Sequence, residues 1–330
     1  MTKKRITLWT VLLFVTAVGL IYAPKDSEKA VDTVEKHYTN DYGMIHAYPD
    51  DPASSYLSES AGLYMQYLNQ TKNKKAFAEQ ADLVSQYFVT QDTEQQHIKW
   101  RLENTTANAL IDDVRIIDAM VTAASLFETP AYKDLADQWT GVLADTQQQN
   151  GIYVDYYDWK RDNAASRITL SYITPELTSV LPDTRKTEHI LTNLDRSGVF
   201  FPKYYDTGTK SYHRQDEVNM IDQLLIALNR LHAGASSPAF HKWIIQEWQQ
   251  NRLYGRYDRD TLDPAVEYEA LAVYALFVMY LQESNAPGKA QEVEERMQAL
   301  KDEMNPDNLH FFDYIYDKLA GHYEKERKPQ

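Results

Sequence analysis

Ile111-Asp112-Asp113-Val114-Arg115-Ile116-Ile117 sets two aspartates at the opening of an apolar run whose period is helical. A carboxylate suits that position, because the first turn of a helix leaves backbone N–H groups free and carries the positive end of the dipole. The same pattern recurs on either side. Upstream, Glu59 opens a helical stretch in Ser58-Glu59-Ser60-Ala61-Gly62. Downstream, Asp216 stands in Gln215-Asp216-Glu217-Val218-Asn219, ahead of another. Three helix starts account for these acids. So does a ring of helices whose N-termini bring the carboxylates into one cleft, where they could hydrolyse a glycosidic bond.

Apolar residues recur at helical spacing over 59–69, 74–88, 107–127, 131–148, 216–232, 239–250, 265–283 and 289–302. Shorter pieces cover 175–180, 186–194 and 308–324. Gly and Pro fall mainly between these blocks, where helix breakers belong. Ile152–Arg161 and Val199–Tyr212 alternate aromatic and polar residues, and Asp206-Thr207-Gly208 supplies a turn, so both read as short hairpins. Many helices with short connections in one folding unit predict an all-α toroid with β-hairpin insertions. A helical solenoid is the competing arrangement, but it shows a repeat of roughly 34 to 45 residues that this chain lacks.

Acidic residues outnumber basic ones, 48 to 34, for a net charge of −14. That argues against a nucleic-acid partner, which needs a basic surface. The 24 Tyr and 6 Trp residues suit a groove that stacks on sugar rings, and equally a packed core. No cysteine is present, so there is no disulfide, thiol nucleophile or thiolate metal site. No His-x-x-x-His pair, phosphate loop or Gly-x-Ser-x-Gly elbow occurs, and no cofactor or metal is expected. Lys3-Lys4-Arg5 precedes an uncharged run from Ile6 to Ala23. Residues 1–23 therefore read as an N-terminal membrane anchor or signal segment, with the remainder outside the cytoplasmic membrane. An uncleaved anchor is favoured, because Leu20-Ile21-Tyr22-Ala23-Pro24 is a poor cleavage site. Residues 24–40 form a tether with a first helix over 28–37, and 41–330 a single catalytic domain.

Several segments, taken in order, resemble glycoside hydrolase family 8, whose members include cellulases, chitosanases, xylanases and lichenases. Ser58-Glu59-Ser60-Ala61-Gly62-Leu63-Tyr64-Met65 is similar to the family's general-acid segment, with Ser60 where the family has Gly. Trp100-Arg101 resembles a Trp-Arg segment. Asn108-Ala109-Leu110-Ile111-Asp112-Asp113 resembles the family's Ala-Thr-Asp-Ala-Asp, in a register that leaves either aspartate as the match. Ser171-Tyr172-Ile173-Thr174-Pro175-Glu176 resembles Ser-Tyr-x-x-Pro-Glu. Tyr212-His213-Arg214-Gln215-Asp216-Glu217-Val218-Asn219 resembles the Tyr-Asp-Ala-x-Arg segment, with Asn219 in place of the Arg.

The resemblance implies an (α/α)6 barrel and an inverting mechanism. Glu59 would be the general acid and Asp216 the general base, about 6.5–9.5 Å apart to admit a water. Asp112 or Asp113 would bind the sugar, with Tyr64, Trp100, Arg101, Tyr172 and Tyr212 around it. Arg115 and Arg101 could hold carboxylates by bidentate pairing, although a local pair of Arg115 with Asp112 fits as well. The substrate would be a β-linked polysaccharide, cut internally, and the anchor suggests work beside exopolysaccharide synthesis machinery. Two alternatives stay open. One is another α/α-barrel carbohydrate enzyme, an unsaturated glucuronyl hydrolase or a lyase. The other is a glycan-binding protein that kept the barrel and lost catalysis.

Overall fold

A computed structural model describes residues 27–91, 93–195 and 197–323. The proposed anchor, residues 1–23, lies outside them. Among the described residues no helix is long and apolar enough to cross a membrane.

Helices dominate and alternate between two layers. A first helix over 27–38, α1, ends in a widened π turn at Val34–Tyr38. It falls within the stretch read as a tether. Then come α2 (Ser58–Gln70), α3 (Lys74–Leu83), α4 (Leu110–Leu126), α5 (Pro130–Thr146), α6 (Pro175–Val180) and α7 (Arg185–Thr192). The series ends with α8 (Met220–His232), α9 (Pro238–Trp248), α10 (Leu271–Glu283), α11 (Pro287–Glu303) and α12 (Phe311–Gly321).

The even-numbered helices form the inner layer. α2 packs on α4 and α12, α4 on α6, and α10 on α8 and α12. The turn Leu170–Tyr172 packs against α8 and fills the ring between α6 and α8. α3, α5 and α11 lie outside their inner partners. Burial follows the layers. Every residue of α10 from Leu271 to Leu281 is buried, whereas α11 buries only the stripe Ala290, Val293, Met297 and Leu300. A helix apolar all round can sit only inside, and one with a single stripe only outside. This is the (α/α)6 toroid expected from the sequence.

Strands are short and antiparallel. β1 (Gln148–Gln149) pairs with β2 (Ile152–Tyr153), and β3 (Tyr157–Asp158) with β4 (Asn163–Ala164). β5 (Arg167–Thr169), β6 (Tyr204–Asp206) and β7 (Ser211–His213) make a three-stranded sheet. β8 (Glu217–Asn219) pairs with β9 (Arg256–Asp258).

That last pair corrects one expected boundary. The helix expected from Asp216 begins at Met220 instead. Val218 is buried opposite Tyr257 while Glu217 faces solvent, a period of two rather than 3.6. Asn219 then caps α8, its Oδ1 accepting from Ile221 N at 2.8 Å.

Candidate active site

α2, α4 and α8 all start at one end of the barrel, and their first turns carry Glu59, Asp112, Asp113 and Asp222. Backbone pairing fastens these starts together. Leu57 bridges Arg101, Ser58 N donates to Trp100 O at 3.1 Å, and Leu110 N donates to Asp155 O at 2.9 Å. A cavity of about 510 Å³ near the opposite end and a cleft of about 500 Å³ at this end share no lining residue. Trp100, Asn108, Asp155, Tyr156, Arg167, Thr169, Tyr172, Lys203 and Asp222 line the cleft.

Glu59 lies beside this cleft with its side chain 30% exposed. Arg115 Nη1, almost fully buried, meets Glu59 Oε1 at 2.9 Å, and Arg115 Nη2 donates to Tyr316 Oη at 3.2 Å. The arginine thus reaches across to α2 and α12 and does not pair with Asp112. It fixes the orientation of Glu59 from behind.

Asp112 is 4% exposed. Burial drives its carboxyl well above the ordinary range. The charge of Glu59 adds to this, while Arg115 and a hydrogen bond with Ser58 oppose it. Ser58 Oγ lies 3.1 Å from Trp100 O and 3.0 Å from Asp112 Oδ2, and shares its hydrogen between them.

Asp113 is buried differently. Its Oδ2 accepts from Asn108 Nδ2 at 2.6 Å, and Asn108 also binds Gln147 and accepts from Tyr157 N at 2.7 Å. Burial raises this carboxyl too, opposed by the Asn108 bond. Asp113 therefore ties α4 to the β1–β4 hairpins, and Asp112 is the aspartate on the Glu59 side.

Two other carboxylates line the cleft itself. Asp155 accepts from Thr169 Oγ1 at 2.8 Å and Arg167 Nε at 3.0 Å, and also from Thr169 N. Burial raises it and those bonds pull it back. Asp222 Oδ1 accepts from Ser171 Oγ at 2.8 Å. Tyr172 lies among all of them. Burial raises its hydroxyl first, and the charges of Asp112, Asp155, Glu59 and Asp222 raise it further.

Trp100 and Tyr172 lie in the cleft as expected, and Arg101 stacks over the Trp100 ring at 4.7 Å. Arg101 Nη2 donates to Asn104 O and holds no carboxylate. Three expected residues lie elsewhere. Tyr64 is 4% exposed and stacks on Tyr67, so it has no face to offer a sugar. Tyr212 packs on Tyr205 and donates to Ile190 O, away from the cleft lining. Asp216 is exposed on the loop before β8, where its backbone oxygen accepts from Arg259 N at 2.7 Å, and it does not line the cleft. The one-turn error in the start of α8 is what separated Asp216 from Asp222. Tyr316, Asp155, Arg167 and Lys203 carried no usable sequence signal, since each enters the site through a tertiary contact. Trp139, Trp243 and Trp248 are buried, and Glu269 pairs with Arg296 at 2.7 Å, so these serve packing and structure.

A helical toroid with a cluster of carboxylates and aromatic rings at the N-terminal end of its inner helices defines a carbohydrate-active barrel. Relatives agree. The chain is 33% identical over 285 residues to a Bacillus subtilis (strain 168) protein named Putative lipoprotein YdaJ, covering 82% of this chain and 75% of that one. PssZ from Listeria monocytogenes has a solved structure that is 31% identical, with a TM-score of 0.80 over 88% of this chain and 93% of its own. An α-amylase from Clostridium perfringens follows at 22% identity and a TM-score of 0.78, covering 90% and 97%. A family 8 endoglucanase from Klebsiella pneumoniae shares the fold at 13% identity and a TM-score of 0.62, covering 88% and 97%. No profile of a known protein family matches the chain. The chain belongs to glycoside hydrolase family 8.

Proposed function

We propose that this protein is an inverting glycoside hydrolase that cuts a β-linked polysaccharide internally, outside the cytoplasmic membrane. The observation that carries this reading is the set of four carboxylates around Tyr172, supplied by three inner-helix starts and one hairpin, beside an aromatic-lined cleft. Glu59 is the general acid. It protonates the leaving oxygen while Arg115, itself bonded to Tyr316, holds its carboxyl in place. Asp222 is the general base. Ser171 orients one of its oxygens, and the other activates a water for attack on the opposite face of the ring. Asp112, its carboxyl pushed up by burial, binds the sugar beside the acid. Trp100, Tyr156 and Tyr172 offer ring faces to the sugars.

Residues 6–23 hold the domain at the membrane, and an exopolysaccharide passing there is the substrate. Similarity to a protein named as a lipoprotein supports a place at the cell surface. The likeness to an α-amylase makes α-1,4-glucan a necessary member of the substrate panel.

The test compares wild type, Glu59→Gln, Asp222→Asn and Asp216→Asn on β-glucans, chitosan, β-1,6-linked glucosamine polymer and starch. Glu59→Gln and Asp222→Asn each lower kcat by about 10²–10⁴-fold, and Asp216→Asn stays within about threefold of wild type. NMR of the first product shows the inverted anomer. Full activity in Asp222→Asn, with loss in Asp216→Asn, returns the base to the loop. Binding of a polymer without turnover by wild type makes the protein a glycan-binding barrel.

A further inference from the structure

The barrel is polar along its axis. At the cleft end, the first turns of α2, α4, α8 and α12 hold Glu59, Asp112, Asp113, Asp222 and Asp313. At the far end, where the inner helices stop, turns of three to five residues lead into α3, α5, α9 and α11. Side-chain contacts hold these outer starts beside the inner ends. Lys74 Nζ donates to Phe127 O, just past α4, at 2.7 Å, and Phe240 and His241 meet Tyr280 near the end of α10.

The first turns of these four outer helices hold no acid. Each helix instead carries lysine within its first five residues: Lys74 and Lys75, Lys133, Lys242 and Lys289, all exposed. Lys72 adds another exposed cation in the turn before α3. Glu128 is the one acid in the four turns. A helix start favours anions, so repeated cations there work against the local dipole. They also run against the composition of a chain whose net charge is −14. Lys75 and Lys133 make exposed pairs with Glu79 and Asp137 one turn on, which hold them weakly. Among the described residues, Lys72, Lys242 and Lys289 pair with no acid.

The chain enters the domain toward this same end. α1 runs antiparallel to α12. Tyr38, at the end of α1, donates to Leu309 O ahead of α12, while Ala30 O accepts from Tyr314 Oη a turn further along. The start of α1 at residue 27 therefore lies toward the far end. Only residues 24–26 separate it from the uncharged run Ile6 to Ala23. Four residue steps reach at most about 14 Å. The inner helices α2, α8 and α10 each run 13 residues, which sets the cleft about 20 Å beyond the far end.

We propose that the far end of the barrel is a membrane-facing surface: its lysines lie against anionic lipid headgroups, and the cleft opens away from the bilayer. Each lysine near such a surface adds to the attraction, and the acidic cleft end is repelled. The proposal rests on the anchor reading of residues 6–23 and is independent of the hydrolase reading.

The chain has no cysteine, so a single introduced thiol labels cleanly. The test reconstitutes the full chain into vesicles of phosphatidylcholine, alone or mixed with phosphatidylglycerol. It reads energy transfer to a headgroup acceptor from a dye on Ser236→Cys or on Ala53→Cys. Ser236 is exposed in the turn before α9, and Ala53 on the loop before α2. With phosphatidylglycerol, transfer from Ser236→Cys should exceed that from Ala53→Cys by about twofold or more. Combining Lys72→Glu, Lys242→Glu and Lys289→Glu should remove the excess. High salt should do the same with the lysines intact, which guards against a variant that fails to fold. The same ratio in both lipids, or a ratio indifferent to charge reversal or to salt, leaves orientation to the anchor alone and overturns the proposal. Vesicle flotation separates the two readings. Flotation with phosphatidylglycerol only keeps the surface and removes the anchor, and flotation with neither lipid removes both.

Discussion

Arg115 is the side chain on which the candidate site turns. It is 4% exposed, and Glu59 answers its charge from another helix. Removing that answer strands a buried cation. Glu59→Ala should therefore lower unfolding free energy by about 3 kcal/mol. Glu59→Gln should lower it by only about 1 kcal/mol, because the amide oxygen still accepts a hydrogen bond. Urea unfolding of the two variants measures the difference. Asp112 and Asp113 make the opposite kind of contribution. Burial raises both carboxyls in the folded state. The unfolded chain releases these protons near pH 4 while the folded chain keeps them. Folding thus binds protons, and stability falls as pH rises from about 4 toward the raised values. Asp113→Asn removes one titrating group, so its stability should decline less steeply between pH 5 and 8 in urea titrations. An unchanged slope would show that Asp113 does not titrate there.

At the level of elements, α2 and α4 touch so closely that side-chain size decides their spacing. A Cβ added at Gly62 would meet Arg115 Cβ and Ile116 Cγ1, both at 3.3 Å. Gly62→Ala should be near neutral in stability, since the helical gain over glycine, about 1 kcal/mol, offsets a small shift of α4. Gly62→Val should cost about 1–3 kcal/mol by overpacking. It should also cut activity, because the turn it displaces carries Arg115. The Glu59 segment was legible at this scale, and its helix starts at Ser58, one residue before the expected position. α8 was not, because Glu217-Val218-Asn219 reads as helix by composition and becomes strand only when β9 lies beside it. One misplaced turn put the helix start at Asp216, whereas the aspartate in the first turn of α8 is Asp222.

At the level of the whole molecule, the ring closes where the last helix meets the first. Tyr38 Oη donates to Leu309 O at 2.9 Å, Tyr314 Oη to Ala30 O at 3.2 Å, and Phe311 N to Ala47 O at 2.8 Å. Asp313, in the first turn of α12, accepts from Ala272 N at 2.8 Å and so satisfies the open start of α10. α12 also supplies Tyr316 to Arg115. A chain ended at Asn305 should lose these contacts together. It should show no cooperative urea transition and no hydrolysis, whereas a merely peripheral α12 would leave one sharp transition in place.

Sequence alone determined the local facts. The period of the apolar residues made helices, and the segments around Glu59 and Asp112 matched a known family in order. Those properties are written within a turn or two of chain. The tertiary structure decided which acids share a cleft, because Asp155 and Asp222 reach it from segments far apart in sequence. It also decided that Tyr64 is core and that Asp112, rather than Asp113, stands beside Glu59. Burial and hydrogen-bond partners distinguish such residues, and both are set only when the helices close into a ring.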